Sequence, residues 1–355
     1  MHTQGFTSRE DGFSLFELML VIVVMMIVFG AVFSLMQSSL RSSVANYEMS
    51  DAQQALRIAH EAISRDLYSA GDGLIGITEV RVPVAFLRNY VSSQSVATLD
   101  PDADGFAGLP LVLSDDNLPA NTALLNGPAA FALTGSDRIT MLAEDRSFSP
   151  LSLAPGAIVP SGETITVAPA DIGNFSNGEI YFLSNGTAAA LGTVTGIAAT
   201  SISFSVSDIY GLNQPGAANG FFSQVSLNGT LPTTLKRMRL VHYYLTDSGL
   251  LVRRAFGVRG AGHVDSVIAE HIAALNFRYL LNLNDAGGNL RQPVTQLATQ
   301  QEQNAARQIE TTVTAETVKP MLNSGQRATF TASQQITIRN LQFREAQQPT
   351  SGVIE

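Results

Sequence analysis

Gly12-Phe13-Ser14-Leu15-Phe16-Glu17-Leu18 runs directly into Met19-Leu20-Val21-Ile22-Val23-Val24-Met25-Met26-Ile27-Val28-Phe29-Gly30-Ala31-Val32-Phe33-Ser34-Leu35-Met36. No charged residue lies between Leu18 and Leu40, and only Gly30 and Ser34 interrupt the apolar run as far as Met36. A helix rises about 1.5 Å per residue, so about 20 such residues cross a hydrocarbon layer roughly 30 Å thick. Helices buried in soluble cores rarely stay apolar on every face for this length, so the stretch reads as a single membrane span. A secretory signal peptide would need a basic region before the run and a small-residue cleavage site after it. Here Glu10 and Asp11 follow Arg9, and Glu17 sits at the mouth of the span; Val32-Phe33-Ser34 is the cleavage site that a secretory reading would have to use. Arg9 is offset by its neighbours and Arg41 lies beyond the span, so the positive-inside rule does not set an orientation.

The helix is expected to continue past the membrane. Val44, Tyr47, Ala52, Leu56, Ala59, Ile63 and Leu67 recur mostly at three- and four-residue spacing, with Arg41, Glu48, Asp51, Arg57, Glu61 and Arg65 interleaved. Gly71 and Gly73 are the natural stop, and no proline occurs before Pro83. One unkinked helix from about Ser14 to about Ala70 would run roughly 85 Å. A coiled-coil dimer is the alternative for its second half, although the pattern lasts too few heptads to require one.

Composition narrows the remainder. The chain has 355 residues, 21 basic against 30 acidic (net −9), 45% apolar, with no Cys and no Trp. Without cysteine there are no disulfides, thiolate zinc sites, iron–sulfur clusters or cysteine nucleophiles. An acidic chain with two lysines, Lys236 and Lys319, is poorly suited to general nucleic-acid or anionic-membrane binding by counterion release. Beyond Gly73, short period-2 or β-branched runs are bounded by Gly, Pro, Asn and Asp. Strands are expected at 138–142, 163–167, 179–184, 193–197 and 201–206 in a first lobe. In a second, 236–245 and 250–258 are joined by the turn Thr246-Asp247-Ser248-Gly249, followed by 275–281, 308–315 and 335–343. In the strand 308–315, Ile309, Thr311, Val313 and Ala315 alternate with Glu310, Thr312, Thr314 and Glu316, the pattern of a sheet with one wet face. The Gly/Asn-rich stretch 213–232 marks the lobe boundary, and 282–306 reads as a long insertion.

The motif Gly12–Leu18 with its apolar continuation resembles the type III signal of type IV prepilins and pseudopilins. That resemblance implies cleavage between Gly12 and Phe13 by a prepilin peptidase on the cytoplasmic side, methylation of the new Phe13 amine, and retention of the span. An ionisable group at the membrane-embedded end of a helix costs a few kcal/mol unless paired, so Glu17 is a functional candidate. In the pilin reading the Phe13 amine of an adjacent subunit neutralises Glu17 and sets the filament register; the plainer alternative leaves Glu17 hydrated among headgroups. A looser similarity, to PilW-type minor pilins, rests on the order of several pieces. These are Gly135-Ser136-Asp137-Arg138-Ile139-Thr140, then Gly178-Glu179-Ile180-Tyr181-Phe182-Leu183-Ser184-Asn185-Gly186, the hairpin Tyr243-Tyr244-Leu245 to Leu251-Val252-Arg253-Arg254, and Ile338-Arg339-Asn340-Leu341.

The expected fold is α+β and pilin-like: a long N-terminal helix, transmembrane in its first half, packed on an antiparallel β-rich globular domain with long loops. Its parts are a leader over 1–12, a helix over 13–71 with the span at about 18–40, a first β-rich lobe over 74–212, a second over 233–345 and a tail over 346–355. The implied function is that of a non-enzymatic minor pilin that primes pilus assembly near the tip. Its implied partners are the prepilin peptidase, other minor pilins, the major pilin and the inner membrane, with the domain periplasmic and later at the cell surface. A J-class pseudopilin of type II secretion is the same-class alternative, and a membrane-tethered envelope enzyme or binding protein is the different-class one.

Three further constellations are candidates. Asp100-Pro101-Asp102-Ala103-Asp104-Gly105 matches the opening of an EF-hand loop, and Asp100, Asp102 and Asp104 would converge on calcium, with Asp115 and Asp116 in reserve. Leu111 stands where the bidentate Glu should be, so a solvated Asx-rich turn competes. No other cofactor is expected. His2, His60, His242, His263 and His271 include no pair at helical ligand spacing and read as structural, and no nucleophile elbow or phosphate-binding glycine loop is present. Finally, Lys236, Arg237, Arg239, Arg253, Arg254 and Arg259 gather on one hairpin. They form a patch that would fit an acidic flank of a neighbouring pilin or a nucleic-acid backbone, against the plainer reading of a solvated strand pair.

Overall fold

The computed structural model describes residues 14–74, 79–92, 94–119, 132–185, 189–213, 232–260, 262–285, 287–321 and 325–338. The leader, the Gly12–Phe13 junction, the tail 346–355, most of the 213–232 boundary and the residues after Ile338 lie outside the described residues. Helix α1 (Leu15–Ser69) is continuous over 55 residues, about 80 Å long. It ends where the sequence places the stop: Gly71 and Gly73 take φ of +73° and +76°, a region open to glycine at little cost. The chain separates into two compact units, one formed by residues through Asp51 with Thr317–Ala328, the other by Ala52–Glu316 with the residues from Thr329 onward.

In the first unit, residues 14–44 of α1 are exposed. In the second, the α1 stripe Ala52, Leu56, Ala59, Ile63 and Leu67 is buried, as the spacing predicts. Val44 and Tyr47, expected on the same stripe, are exposed instead, and His60 and Ser64 are buried. Their polar atoms meet a strand: His60 Nε2 lies 3.1 Å from the Ala332 carbonyl and Ser64 Oγ donates to Gln334 Oε1 at 3.1 Å.

The strands follow in chain order. The early ones are β1 (Glu79–Pro83), β2 (Phe106–Pro110), β3 (Val112–Asp115), β4 (Arg138–Glu144), β5 (Leu151–Leu153) and β6 (Thr164–Thr166). The middle ones are β7 (Ile180–Ser184), β8 (Ala189–Thr193), β9 (Gly196–Ile197), β10 (Ser201–Ser203) and β11 (Thr233–Leu245). Then come β12 (Leu251–Val258), β13 (Gly262–Ala269), β14 (Ile272–Leu281), β15 (Ala306–Glu316) and β16 (Thr329–Thr337). Short helices occupy Val84–Tyr90, Val96–Leu99 and Gln300–Ala305, the last closed by a capping box between Thr299 and Glu302.

All pairings are antiparallel. The main sheet runs β13-β12-β11-β4-β3, with β5 and β7 also on β11 and β8 on β7. The 13-residue β11 is thus shared by strands from both sides of the expected lobe boundary. One sheet joins strands from the two expected lobes, 74–212 and 233–345, and Leu240-Val241-His242-Tyr243-Tyr244-Leu245, buried without a break, has neighbours on both edges. A partial division survives in the packing. Phe148, Ile165, Phe175, Tyr181, Leu183, Ile202 and Phe204 form a second core, which Leu235 of β11 also enters. The sheet β14-β15-β16 has the expected alternation, with Ile309, Thr311, Val313 and Ala315 buried and their neighbours half-exposed. Two expected positions shift: 193–197 is split between β8 and β9, and the last strand begins at Thr329 rather than Gln335.

The central strand carries a titratable group with no charge to spare. His242 is buried, its Nδ1 2.7 Å from Thr140 Oγ1. Burial first, then the nearby Arg138 and Arg254, hold its pKa well below the usual 6.5. The unfolded chain gains this proton near pH 6.5 while the folded chain does not, so acidification favours unfolding. Relative to a His242→Gln variant, the protein should lose up to about 1.4 kcal/mol of stability per pH unit below pH 6.5. Urea titrations at a series of pH values would read this as a slope present in the native chain and reduced in the variant.

Candidate functional site

The start of α1 is built from the motif itself. Ser14 Oγ accepts the Phe16 N–H at 3.2 Å, and Glu17 Oε2 accepts the Ser14 N–H at 3.1 Å. Helix starts leave amides without intrahelical acceptors and carry partial positive charge, so a carboxylate in the first turn is favoured there. Glu17 is exposed, and behind it the exposed surface of residues 18–40 bears no charge. As far as Phe33 that surface offers water no side-chain hydrogen bond. It is complementary to lipid, or to the same surface on other copies of the helix, and Glu17 is the one group on it able to receive a cation.

The arginine patch is not a free basic face. Arg237 Nε lies 2.9 Å from Asp145 Oδ2 and Nη1 3.0 Å from Glu179 Oε1, with the guanidinium 5.3 Å from the Phe148 ring centre. Arg239 reaches the other Asp145 oxygen at 3.0 Å. Burial, the largest influence on Asp145, pushes its pKa up, but hydrogen bonds from Ser147 and the charges of Arg237 and Arg239 bring it below the ordinary value. Arg253 Nε sits 2.5 Å from Asp66 Oδ2 of α1, which also accepts the Tyr243 hydroxyl at 2.8 Å. Arg254 clasps Asp265 through Nε and Nη2, both at 2.7 Å, beneath the Tyr244 ring. Lys236 donates to the Gly73 carbonyl at 2.6 Å, and Arg259 to Ser176 Oγ. Adjacent strand residues face opposite sides of a sheet, so Arg253 and Arg254 cannot act on one ligand. The carboxylate partners are scattered through the sequence, which is why the hairpin alone suggested an open patch.

The acidic loop is brought together but internally occupied. Asp100, Asp102 and Asp104 have carboxylate oxygens within 4.8 Å of one another. Asp100, buried, accepts the amides of Asp104 and Gly105 at 3.0 and 2.9 Å, while Asp104 accepts the Phe106 amide at 2.9 Å and pairs with Arg81. Leu111 is in the hydrophobic core, and Asp115 is paired with Arg138 at 2.5 Å in a buried bridge, so neither completes a ligand set. Asp116 receives the Thr295 hydroxyl at 2.9 Å. Amide contacts of this kind occur both in Asx turns and in loops that hold a cation. Sequence reasoning passed over Asp137, whose oxygens accept the amides of Asn117 at 2.9 Å and Phe277 at 2.7 Å. Burial pushes its pKa up to about 6 against those amides, and Asp116 adds to the rise.

A long N-terminal helix, uncharged from Leu18 to Leu40 behind a glutamate in its first turn and followed by an antiparallel β-rich domain, defines an α+β pilin-like architecture. Residues 3–33 match the family model for the prokaryotic N-terminal methylation motif, so over this segment the chain is type IV prepilin-like. No curated protein matches the chain. The motif implies processing by a prepilin peptidase and assembly with other pilins. The single candidate span among the described residues, at Leu15–Ser69, fits anchoring in the inner membrane.

If the arginines hold the fold rather than a ligand, their loss is read in stability. Arg253→Gln leaves Asp66 with only the exposed Arg65, at 3.9 Å, as a cation and should cost about 3 kcal/mol. Arg239→Gln, which removes the more exposed partner of Asp145, should cost less than about 1 kcal/mol. Denaturant unfolding of the two variants, compared with the native chain, checks the ordering.

Proposed function

We propose that the protein is a minor type IV pilin of the PilW kind: a non-enzymatic subunit that is cleaved after Gly12, methylated at Phe13, and built through its N-terminal helix into a complex that primes pilus assembly near the tip. The observation that carries this reading is Glu17 at the first turn of an exposed, uncharged helix inside the matched methylation motif. In the assembled state the Phe13 amine of a neighbouring subunit takes the place of the Ser14 amide at Glu17, fixing the axial register. The size of the domain supports a minor role, since the bulk of the chain follows the helix. The order of the PilW-like pieces supports the finer assignment. Among them, Asp137 ties two loops to β14, and Arg138 forms the buried pair with Asp115.

A J-class pseudopilin of type II secretion is the second reading, favoured by the Leu-x-Arg strand Leu251-Val252-Arg253. Both readings name the same peptidase and the same inner-membrane origin, and differ in the apparatus served.

Intact-mass and N-terminal analysis of the membrane-extracted protein tests the proposal. With its prepilin peptidase present the chain should begin at methylated Phe13; without the peptidase it should retain the leader. A Glu17→Ala variant should be cleaved and inserted as the native protein is, yet fail to join other pilins in cross-linked complexes. A chain that keeps Met1 in the presence of the peptidase, or begins after Ser34, would replace the filament reading with that of a tethered or secreted β-domain.

A further inference from the structure

The unit formed by the first part of α1 and Thr317–Ala328 holds a second arrangement at the end of the apolar run. The segment between β15 and β16 returns to the helix, where the buried Glu48 carboxylate accepts the amides of Val318 at 3.1 Å and Lys319 at 3.3 Å. The segment is also braced internally: Thr317 Oγ1 receives the Ala328 amide at 3.0 Å and donates to the Lys319 carbonyl at 2.9 Å. Beside it lies a groove of 560 Å³ whose lining includes Gln37, Ser38, Arg41, Ser42, Lys319 and Met321. Arg41 and Lys319 are both exposed, and the one carboxylate on the lining, Glu48, is turned to the two amides.

Depth decides what this groove meets. Leu18 to Met36 is 19 residues interrupted only by Gly30 and Ser34, and at about 1.5 Å each they match a hydrocarbon layer of roughly 30 Å. Arg41 is the first charge after Glu17, so with the apolar run in a bilayer it stands at headgroup level on the opposite side from Glu17. The Glu48 contact brings Lys319, distant in sequence, to the same level. We propose that Arg41 and Lys319, with the hydroxyls of Ser38 and Ser42 and the amide of Gln37, form a docking site for the phosphate of an anionic phospholipid at the surface where the helix leaves the membrane. The site recognises a lipid phosphate by two cations and neutral donors, and it seats residues 317–321 on the bilayer. This inference rests on the membrane-span part of the functional reading, not on the choice of filament system.

The chain has no cysteine, so single introduced cysteines give unambiguous labels. The full-length protein, carrying an environment-sensitive fluorophore at Val318→Cys or Met26→Cys, is reconstituted into vesicles of phosphatidylcholine alone or mixed with phosphatidylglycerol. The label at 26 should report hydrocarbon in both vesicles. The label at 318 should report headgroup contact only with phosphatidylglycerol. Each cation near an anionic surface shifts the docked-to-undocked ratio about fivefold, so Arg41→Gln with Lys319→Gln should lower it about 25-fold. Salt at about 1 M, where screening acts within about 3 Å, should do the same. The proposal is overturned by a 318 signal that ignores lipid composition or the double substitution while the label at 26 is in hydrocarbon. It is also overturned if inorganic phosphate added to phosphatidylcholine vesicles reproduces the shift. A label at 26 that reports water in both vesicles removes the membrane span and the proposal with it.

Discussion

Asp66 is a carboxylate with little access to water, and such a group persists in a fold only when it is paired and hydrogen-bonded. It takes the Tyr243 hydroxyl and the Arg253 guanidinium, from neighbouring strands β11 and β12 in direct register. One helical residue is therefore joined to the strand on which the main sheet is organised. Around this tie the α1 residues Ala52, Ala59 and Ala62 are small, which lets the helix backbone approach the sheet closely, while Leu56, Ile63 and Leu67 fill the core. The tie also specifies rotation, because Asp66 sits beside Leu67 and a turn of the helix by one residue would expose the leucine and bury the charge unpaired. Burial raises the Tyr243 phenol pKa and the adjacent Asp66 raises it further, so the hydroxyl stays a donor throughout the ordinary pH range.

The same helix serves two solvents. Residues 52–69 obey the rule of globular packing, one buried stripe and one wet side. Residues 18–36 obey the rule of lipid, apolar all round but for Gly30 and Ser34, because backbone groups are satisfied within the helix and side chains need no partner in the chain. The proline-free sequence between them keeps the hydrogen-bonding continuous. Glu17 is the exception to the lipid rule. Its bond to the Ser14 amide is a local and weak substitute for a full cation, and in the proposed assembly that difference would favour a neighbouring α-amine over the self-capped state.

Features encoded locally were legible in the sequence. The span, the Gly71 and Gly73 stop, the Thr246–Gly249 turn and the period of β15 each depend on residues within a few positions of one another, and each is where the sequence places it. What was missed depends on distance along the chain. β11 gathers partners from Arg138 to Val258, so its continuous burial was not visible as a period, nor was the sheet it shares with strands of both expected lobes. The basic hairpin looked open because Asp66, Asp145, Glu179 and Asp265, which close it, lie as far as 187 residues away. The acidic loop has a spacing shared by metal loops and Asx turns, and the Asp100 oxygens accept the amides of Asp104 and Gly105. Edge strands such as β13, exposed through Asp265 and Ser266, gave too little apolar contrast to be read.

Charge placement ties anchoring to assembly. The chain is acidic, yet the described arginines of the main sheet are spent on internal carboxylates, and of the two lysines Lys236 is paired with Glu144. Lys319 is different: its backbone is held by Glu48 while its ammonium is exposed beside Arg41. Electrostatic attraction at a lipid surface is worth about 1 kcal/mol per cation, whereas burying one leucine-sized side chain is worth about 2 kcal/mol and the span has many. Headgroup contact would therefore contribute little to holding the protein in the membrane, and its effect would fall on depth and orientation. The proposed pilin role would call for that balance: on extraction apolar helix surface would be exchanged for apolar helix surface, pairing of Glu17 with a neighbouring amine would supply the bias, and weak contacts at the far boundary would be released without opposing it.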